Sequence, residues 1–194
     1  MADFPWFKYY PASVDKTVNV TAYSNISELF DECVSKYGSA VAYECMGKTL
    51  SYEELGRLSA HFATYLTEVL QLKRGTRIAI QMPNVLQYPV AMFGALRAGM
   101  VVVNTNPLYT PSEMKHQFND SGAEVVVIVA NFANNLEKIL PEIKAKHIIV
   151  TELGDLLGGL KGTIVNLVVK HIKKMVTAFS IPKAVSYKSA LAPG

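Results

Sequence analysis

The sequence predicts an α/β fold: an open, mostly parallel sheet with helices on both faces, a small N-terminal hairpin and a basic C-terminal helix. Two observations carry that expectation. Four short runs, RIAIQ (77–81), MVVVN (100–104), EVVVIV (124–129) and HIIV (147–150), are apolar without alternation, as strands covered on both faces are. Between them lie segments with helix-start and helix-stop chemistry, and strand–helix–strand repeats of this length close as right-handed crossovers.

Taken in order, residues 1–24 read as an extended arm. Its start, MADFPWFKYYP, is aromatic but has neither the basic leader nor the apolar stretch of a signal peptide. Residues 25–152 form the α/β body. Asn25 with Glu28, Ser51 with Glu54, Asn84 with Gln87 and Thr110 with Glu113 each place a capping side chain three residues before a Glu or Gln. Such a pair satisfies the free N–H groups of a first helical turn. Pro111 stands at a first helical position, where a missing N–H costs nothing. Gly38, Gly99 and Gly122 follow helical patterns as terminating glycines do. VAYEC and TLSY flank Met46-Gly47-Lys48 and read as an antiparallel hairpin. The helix after Ser51 aligns Leu55, Leu58, Phe62, Leu66 and Leu70 on one face.

Residues 153–194 differ. GDLLGGLKGT (154–163) holds four glycines and reads as a loop. TIVNLVVKHIKKMV (163–176) reads as a helix with Ile164, Val168, Ile172 and Met175 on an apolar face and Lys170, His171, Lys173 and Lys174 as its charge. This last segment carries 6 Lys against one acid, Asp155, whereas residues 1–152 carry 13 Lys/Arg against 15 Asp/Glu.

The overall net charge of +3 is mild and points to no nucleic acid. Cys33 and Cys45 have no metal-ligand spacing, and two free thiols suit a reducing, cytoplasmic setting. The uncharged run from Ile78 to Leu96 has the length of a membrane span. Pro83, Asn84, Gln87 and Pro89 interrupt it, so it reads as strand, turn and buried helix.

Familiar catalytic patterns are absent. No G-x-G-x-x-G follows a strand, and GGLKGT lacks the Gly-Lys-Ser/Thr order of a phosphate loop. His61, His116, His147 and His171 show no zinc-protease spacing, and Glu53 and Glu54 are helix-start residues. No catalytic and no metal-binding residue is assigned.

From Ser51 onward the ordered series T-x-S-Y-x-E-L, G-T-R-I-A-I-Q-M-P-N, A-L-R-A-G and N-P-L-Y-T-P-x-E resembles the adenylate-forming enzymes, and within them the bacterial long-chain fatty acid–CoA ligases. The likeness extends through KGTIVNLVVKHIKK and IPKAVSYKSAL, nearly the whole chain. It implies part of the larger N-terminal domain of an acyl-CoA synthetase. It also implies a two-step reaction: a fatty acid carboxylate attacks the α-phosphate of Mg-ATP to give acyl-AMP and pyrophosphate, and the CoA thiol then displaces AMP. The family's phosphate loop, its adenine and ribose motifs, its acyl tunnel and its mobile lid with the catalytic lysine all lie downstream of the matched region. An N-terminal fragment, inactive by itself, is therefore expected, with ATP, Mg2+ and CoA as requirements of the full-length enzyme. The alternatives are part of another acid–CoA ligase or adenylating enzyme, or a stand-alone α/β interaction module.

The resemblance also marks a binding rim. In relatives that use CoA, its nucleotide end rests near the loop matching Asn106, Pro107, Leu108 and Tyr109, and near the helix carrying Asn135 and Lys138. A loop at a strand's carboxyl end and a helix start both suit an anion. The plainer reading is that Asn106-Pro107 shapes a turn, Tyr109 packs and Lys138 is a solvated charge. For residues 163–176 the two readings are an anionic membrane surface, on the inner face of the membrane, and a helix packed on the parent enzyme. A fragment that exposes apolar surface is also expected to self-associate.

Overall fold

The computed structural model describes residues 4–192. At its centre is a five-stranded, all-parallel sheet in the order β4-β3-β5-β6-β7, built from β3 (Arg77–Gln81), β4 (Val101–Asn104), β5 (Val125–Val129), β6 (His147–Thr151) and β7 (Ala184–Ser186). The hairpin is separate: β1 (Val41–Cys45) pairs antiparallel with β2 (Lys48–Ser51), with a register shift between Val41 and Tyr43. Met46 and Gly47 both take positive φ at its turn, as a tight hairpin requires.

Strand order explains where the helices lie. From β3 the chain runs outward through α3 (Gln87–Arg97) to the edge strand β4, then back over β3 through α4 (Pro111–Ser121) to β5. Two right-handed crossovers in opposite directions must cover opposite faces. Side chains divide accordingly. Ile78, Ile80, Val125, Val127, Val129 and Ile149 join one core with α1 (Ile26–Tyr37), α2 (Tyr52–Thr64), α3 and α7 (Tyr187–Ala190). Ala79, Val126, Ile128 and Ile148 join the other, with α4 and α5 (Ala133–Ile139). Each alternate residue is buried on its own side, worth about 1.5–3 kcal/mol for a full-sized apolar side chain. Helices α2 and α3 approach closely at Gly94, where a Cβ would stand 2.8 Å from the Ser59 carbonyl.

Caps hold at three of the four expected positions. Asn25, Ser51 and Thr110 accept from the backbone N–H groups of Glu28, Glu54 and Glu113, and only Thr110 with Glu113 forms the reciprocal box. Asn84 does not cap α3. That helix starts at Gln87 behind Leu86, which is itself helical and gives no side-chain cap. A turn in which Val85 N donates to Pro83 O moves the start along the chain, and the Gln87 amide turns inward instead.

Three expectations past residue 150 change. The glycine-rich stretch is loop only as far as Gly158, because α6 spans Gly159–Leu167 and a π turn continues it over Val168–Ile172. The helix therefore begins and ends about four residues earlier than expected, and Val168 is half-buried, off the exposed apolar face. Strand β7, unforeseen, lengthens the sheet beyond residue 152. Within the arm, Pro5–Tyr9 forms a 3-10 helix with no buried residue. Among the described residues no helix is long and apolar enough to cross a membrane.

Candidate functional site

Ligands of open parallel sheets lie off the carboxyl ends of the strands, where the direction of winding reverses. Here that point is between β3 and β5, because β3 is followed outward to β4 and β5 is followed the other way to β6. The loop from Asn104 to Tyr109 borders it. Thr105 N donates to Ile80 O at 3.0 Å, and the Gln81 amide donates to Asn106 O at 3.1 Å. Asn106 Oδ1 accepts from Leu108 N at 3.0 Å, closing an Asx turn. Asn104 is held from two sides: Tyr88 OH donates to its side chain at 2.8 Å, and the Gln117 amide to its carbonyl at 3.0 Å. The Thr110–Glu113 box closes the loop, and the Thr110 N–H and hydroxyl hold the Glu113 carboxyl below its ordinary pKa.

This fastening decides what the rim residues present outward. Leu108 projects, 76% exposed. Tyr109 is half-buried against the core that includes Met114, Phe118 and Leu136. The same core includes Leu136 and Ile139 of α5. Asn135 is half-buried on that helix and Lys138 is exposed in its last turn, so the lysine stands near the carboxyl end of the helix dipole and not at its start. Asn131 and Asn134 hold a neighbouring strap, donating to Met175 O at 3.2 Å and Ala178 O at 3.0 Å.

A second concavity, about 680 Å³, opens beneath that strap at the ends of β6 and β7. Apolar Val150, Phe179 and Val185 share its lining with Lys170, His171 and Lys188. One wall is a network that spacing did not reveal. The Asp155 carboxylate, 6% exposed, pairs with Lys188 Nζ at 3.1 Å and accepts from Thr151 Oγ1 at 3.0 Å and Glu152 N at 2.8 Å. The buried Gln87 amide donates to Glu152 O at 2.8 Å, and Tyr187 OH donates to Gln87 O at 3.1 Å. Burial, aided by the Asp155 charge, pushes the Tyr187 phenol well above its ordinary pKa. Two buried acceptors near the switch point, Gln81 Oε1 and Asn131 Oδ1, have no protein partner. Among the described residues no group of three or more His, Cys, Asp or Glu side chains is arranged to hold a metal ion.

Comparison with known proteins fits this architecture. A family model described as AMP-binding enzyme matches residues 30–175. The chain is 48% identical over 189 residues to the long-chain-fatty-acid–CoA ligase of Salmonella typhimurium, a match covering 97% of this chain and 34% of the relative. The corresponding ligase of Haemophilus influenzae is 44% identical over the same shares. The chain thus spans about a third of the length of these relatives. Among solved structures, a fatty acyl CoA synthetase of Mycobacterium tuberculosis aligns with a TM-score of 0.61 at 25% identity, over 65% of this chain and 26% of that one. A long-chain-fatty-acid-CoA ligase of Archaeoglobus fulgidus aligns at 0.59 and 18% identity, over 72% and 29%, a likeness that shows the fold. The chain belongs to the AMP-binding enzyme family.

Proposed function

We propose that this chain is the N-terminal part of a long-chain fatty acid–CoA ligase that forms acyl-CoA from fatty acid, ATP and CoA through acyl-AMP. The 48% identity sustained over 189 residues to ligases of that name carries the reading. Adenylation itself is assigned to the remainder of such an enzyme, with Mg2+ offsetting phosphate charge there. This chain supplies the sheet edge and the rim: Asn106, Pro107, Leu108, Tyr109, Asn135 and Lys138 border the nucleotide end of CoA. The rim's fit is specific in kind. Leu108 offers an exposed apolar surface and Tyr109 an anchored ring, which suit a base, and Lys138 a solvated ammonium, which suits a phosphate. The half-buried free thiols Cys33 and Cys45 suit a reducing cytoplasm.

The test is a chimera in which this chain replaces the matched third of the Salmonella typhimurium relative. The chimera forms acyl-CoA, whereas the 194-residue chain alone releases no pyrophosphate. Turnover by the chain alone, or a folded but inactive chimera, rejects the reading. In the chimera, Lys138→Glu raises the CoA concentration for half-maximal rate about fivefold, the scale of an exposed charge contact, and leaves acyl-AMP formation unchanged. An unaltered CoA requirement removes Lys138 from the rim.

Exposed Ile26, Leu29, Val41 and Tyr43 on α1 and the hairpin also favour self-association of the isolated chain. Sedimentation velocity over a concentration series should show a rising mean mass, and a constant monomer mass refutes it.

A further inference from the structure

We infer that Gln81 is a positioning residue for the proposed CoA rim: its buried carboxamide tethers the Asn106–Tyr109 turn to the sheet, at a cost to folding. The inference rests on that rim. Gln81 ends β3 and is fully buried. Alternation along the strand puts it on the side of Ala79, whose core includes Met114, Phe118 and Leu136. An apolar side chain would suit that position. Instead the Gln81 amide nitrogen donates to Asn106 O at 3.1 Å, and Oε1, on the same carbon, is buried without a protein partner. A buried acceptor left unpaired weakens folding, and an apolar group of the same shape costs little or nothing. Folding alone therefore does not call for a glutamine here.

The turn it holds is otherwise closed on itself. Tyr109 N donates to Asn106 O at 3.2 Å, and Leu108 N donates to Asn106 Oδ1 at 3.0 Å. Asn106 O thus accepts twice, once from within the turn and once from Gln81. Among the described residues, Gln81 is the one side chain that hydrogen-bonds residues 106–109 from outside the turn. Without the Gln81 amide, Asn106 O keeps its Tyr109 partner. The turn survives, and its side-chain tether to the sheet does not. Leu108 is exposed and Tyr109 half-buried, so a shift of the turn displaces the two side chains proposed to meet the base.

The same arrangement recurs two residues earlier in the loop. The Gln117 amide of α4 donates to Asn104 O at 3.0 Å, and its Oε1 is also buried without a protein partner. Among the described residues, two of the three buried side-chain acceptors left unpaired therefore belong to glutamines that grip this one loop. Gln81 reaches it from the strand before it and Gln117 from the helix after it, so the loop is braced between β3 and α4. A binding edge held in this way is preorganised, because its ordering is complete before a ligand arrives.

Gln81→Met keeps an unbranched side chain of similar length and removes both amide atoms, so it separates position from folding. In the 194-residue chain the urea midpoint is unchanged or higher. The Leu108 and Tyr109 N–H groups exchange with deuterium about fivefold faster, the scale of one neutral hydrogen bond, while the β5 amides keep their rates. In the chimera with the Salmonella typhimurium relative, the same substitution raises the CoA concentration for half-maximal rate about fivefold and leaves the rate at saturating CoA unchanged. Unchanged exchange at Leu108 and Tyr109 overturns the inference whatever the ligase activity. So does a lower urea midpoint or faster exchange throughout β3 and β5, either of which makes Gln81 a residue of the core alone. Faster local exchange with an unaltered CoA requirement in an active chimera also overturns it and leaves the proposed reaction standing. A chimera that forms no acyl-CoA with Gln81 in place is the distinct failure of the proposed reaction, and it removes the rim on which the inference rests.

Discussion

Two glycines show how much one missing methyl group can organise. A Cβ on Gly154 would stand 2.3 Å from Gly162 O, and one on Gly162 would stand 2.4 Å from Gly154 O. Both obstacles are backbone, so no side chain can swing aside. The contact fastens the loop after β6 to the first turns of α6. Gly162→Ala should therefore destabilise the protein by about 1–3 kcal/mol, the range for forced overpacking, read as a lower urea midpoint. An unchanged midpoint would mean that α6 is not held at this contact. The glycine-rich composition of 154–163 was legible, but its purpose was not. A glycine kept for loop freedom and a glycine kept for close approach are written with the same letter. Only the partner strand of backbone distinguishes them, and here the partners are eight residues apart on either side of a helix start.

At the scale of elements, what could be read was what local chemistry enforces. Strands β3 to β6 stood out because two covered faces demand uninterrupted apolar runs. Three caps stood out because the donor and acceptor are three residues apart. Asn84 misled for a physical reason: the spacing to Gln87 was right, but Gln87 is buried and spends its amide on Thr151 and Glu152 across the sheet end. Strand β7 escaped notice because three residues, Ala184–Ser186, are too few to show a period. The candidate rim divides along the same line. The loop Asn104–Tyr109 was visible because it runs between a strand end and a capping box. Its true anchors, Gln81, Tyr88 and Gln117, were not, since they reach it from 25, 16 and 13 residues away. The π turn after α6 was equally invisible, and without it the apolar face was assigned to Val168 in place of Leu167.

At the scale of the whole molecule, the sheet end is closed by one side chain drawn from far along the chain. Tyr187 is fully buried, tilts against Phe62 of α2 at 5.5 Å between ring centres, and donates to Gln87 O, 100 residues earlier. It joins α7, α2 and α3 beside the Asp155–Lys188 pair. Its titration should therefore report global stability. In the unfolded chain a tyrosine ionises near its ordinary value of 10.0, whereas burial and then the Asp155 charge keep this phenol neutral well above that. Below the unfolded value the phenol is protonated in both states, and its contribution is fully present. As pH rises past that value, only the unfolded state gives up the proton. Stability then falls by about 1.36 kcal/mol per pH unit from this residue alone, until the folded pKa is reached. Tyr187→Phe removes that linkage and one buried hydrogen bond to the Gln87 carbonyl, at a cost of about 0.5–1.5 kcal/mol. The substituted protein should be less stable at neutral pH yet lose stability less steeply above pH 10. Tyr43 and Tyr65, also raised by burial, keep a residual slope in both proteins, so the informative quantity is the difference between the two curves. Urea midpoints measured at intervals from neutral to strongly alkaline pH give that difference. Curves that stay parallel through the alkaline range would mean that Tyr187 reaches solvent before the sheet end opens, and that the core closes without it.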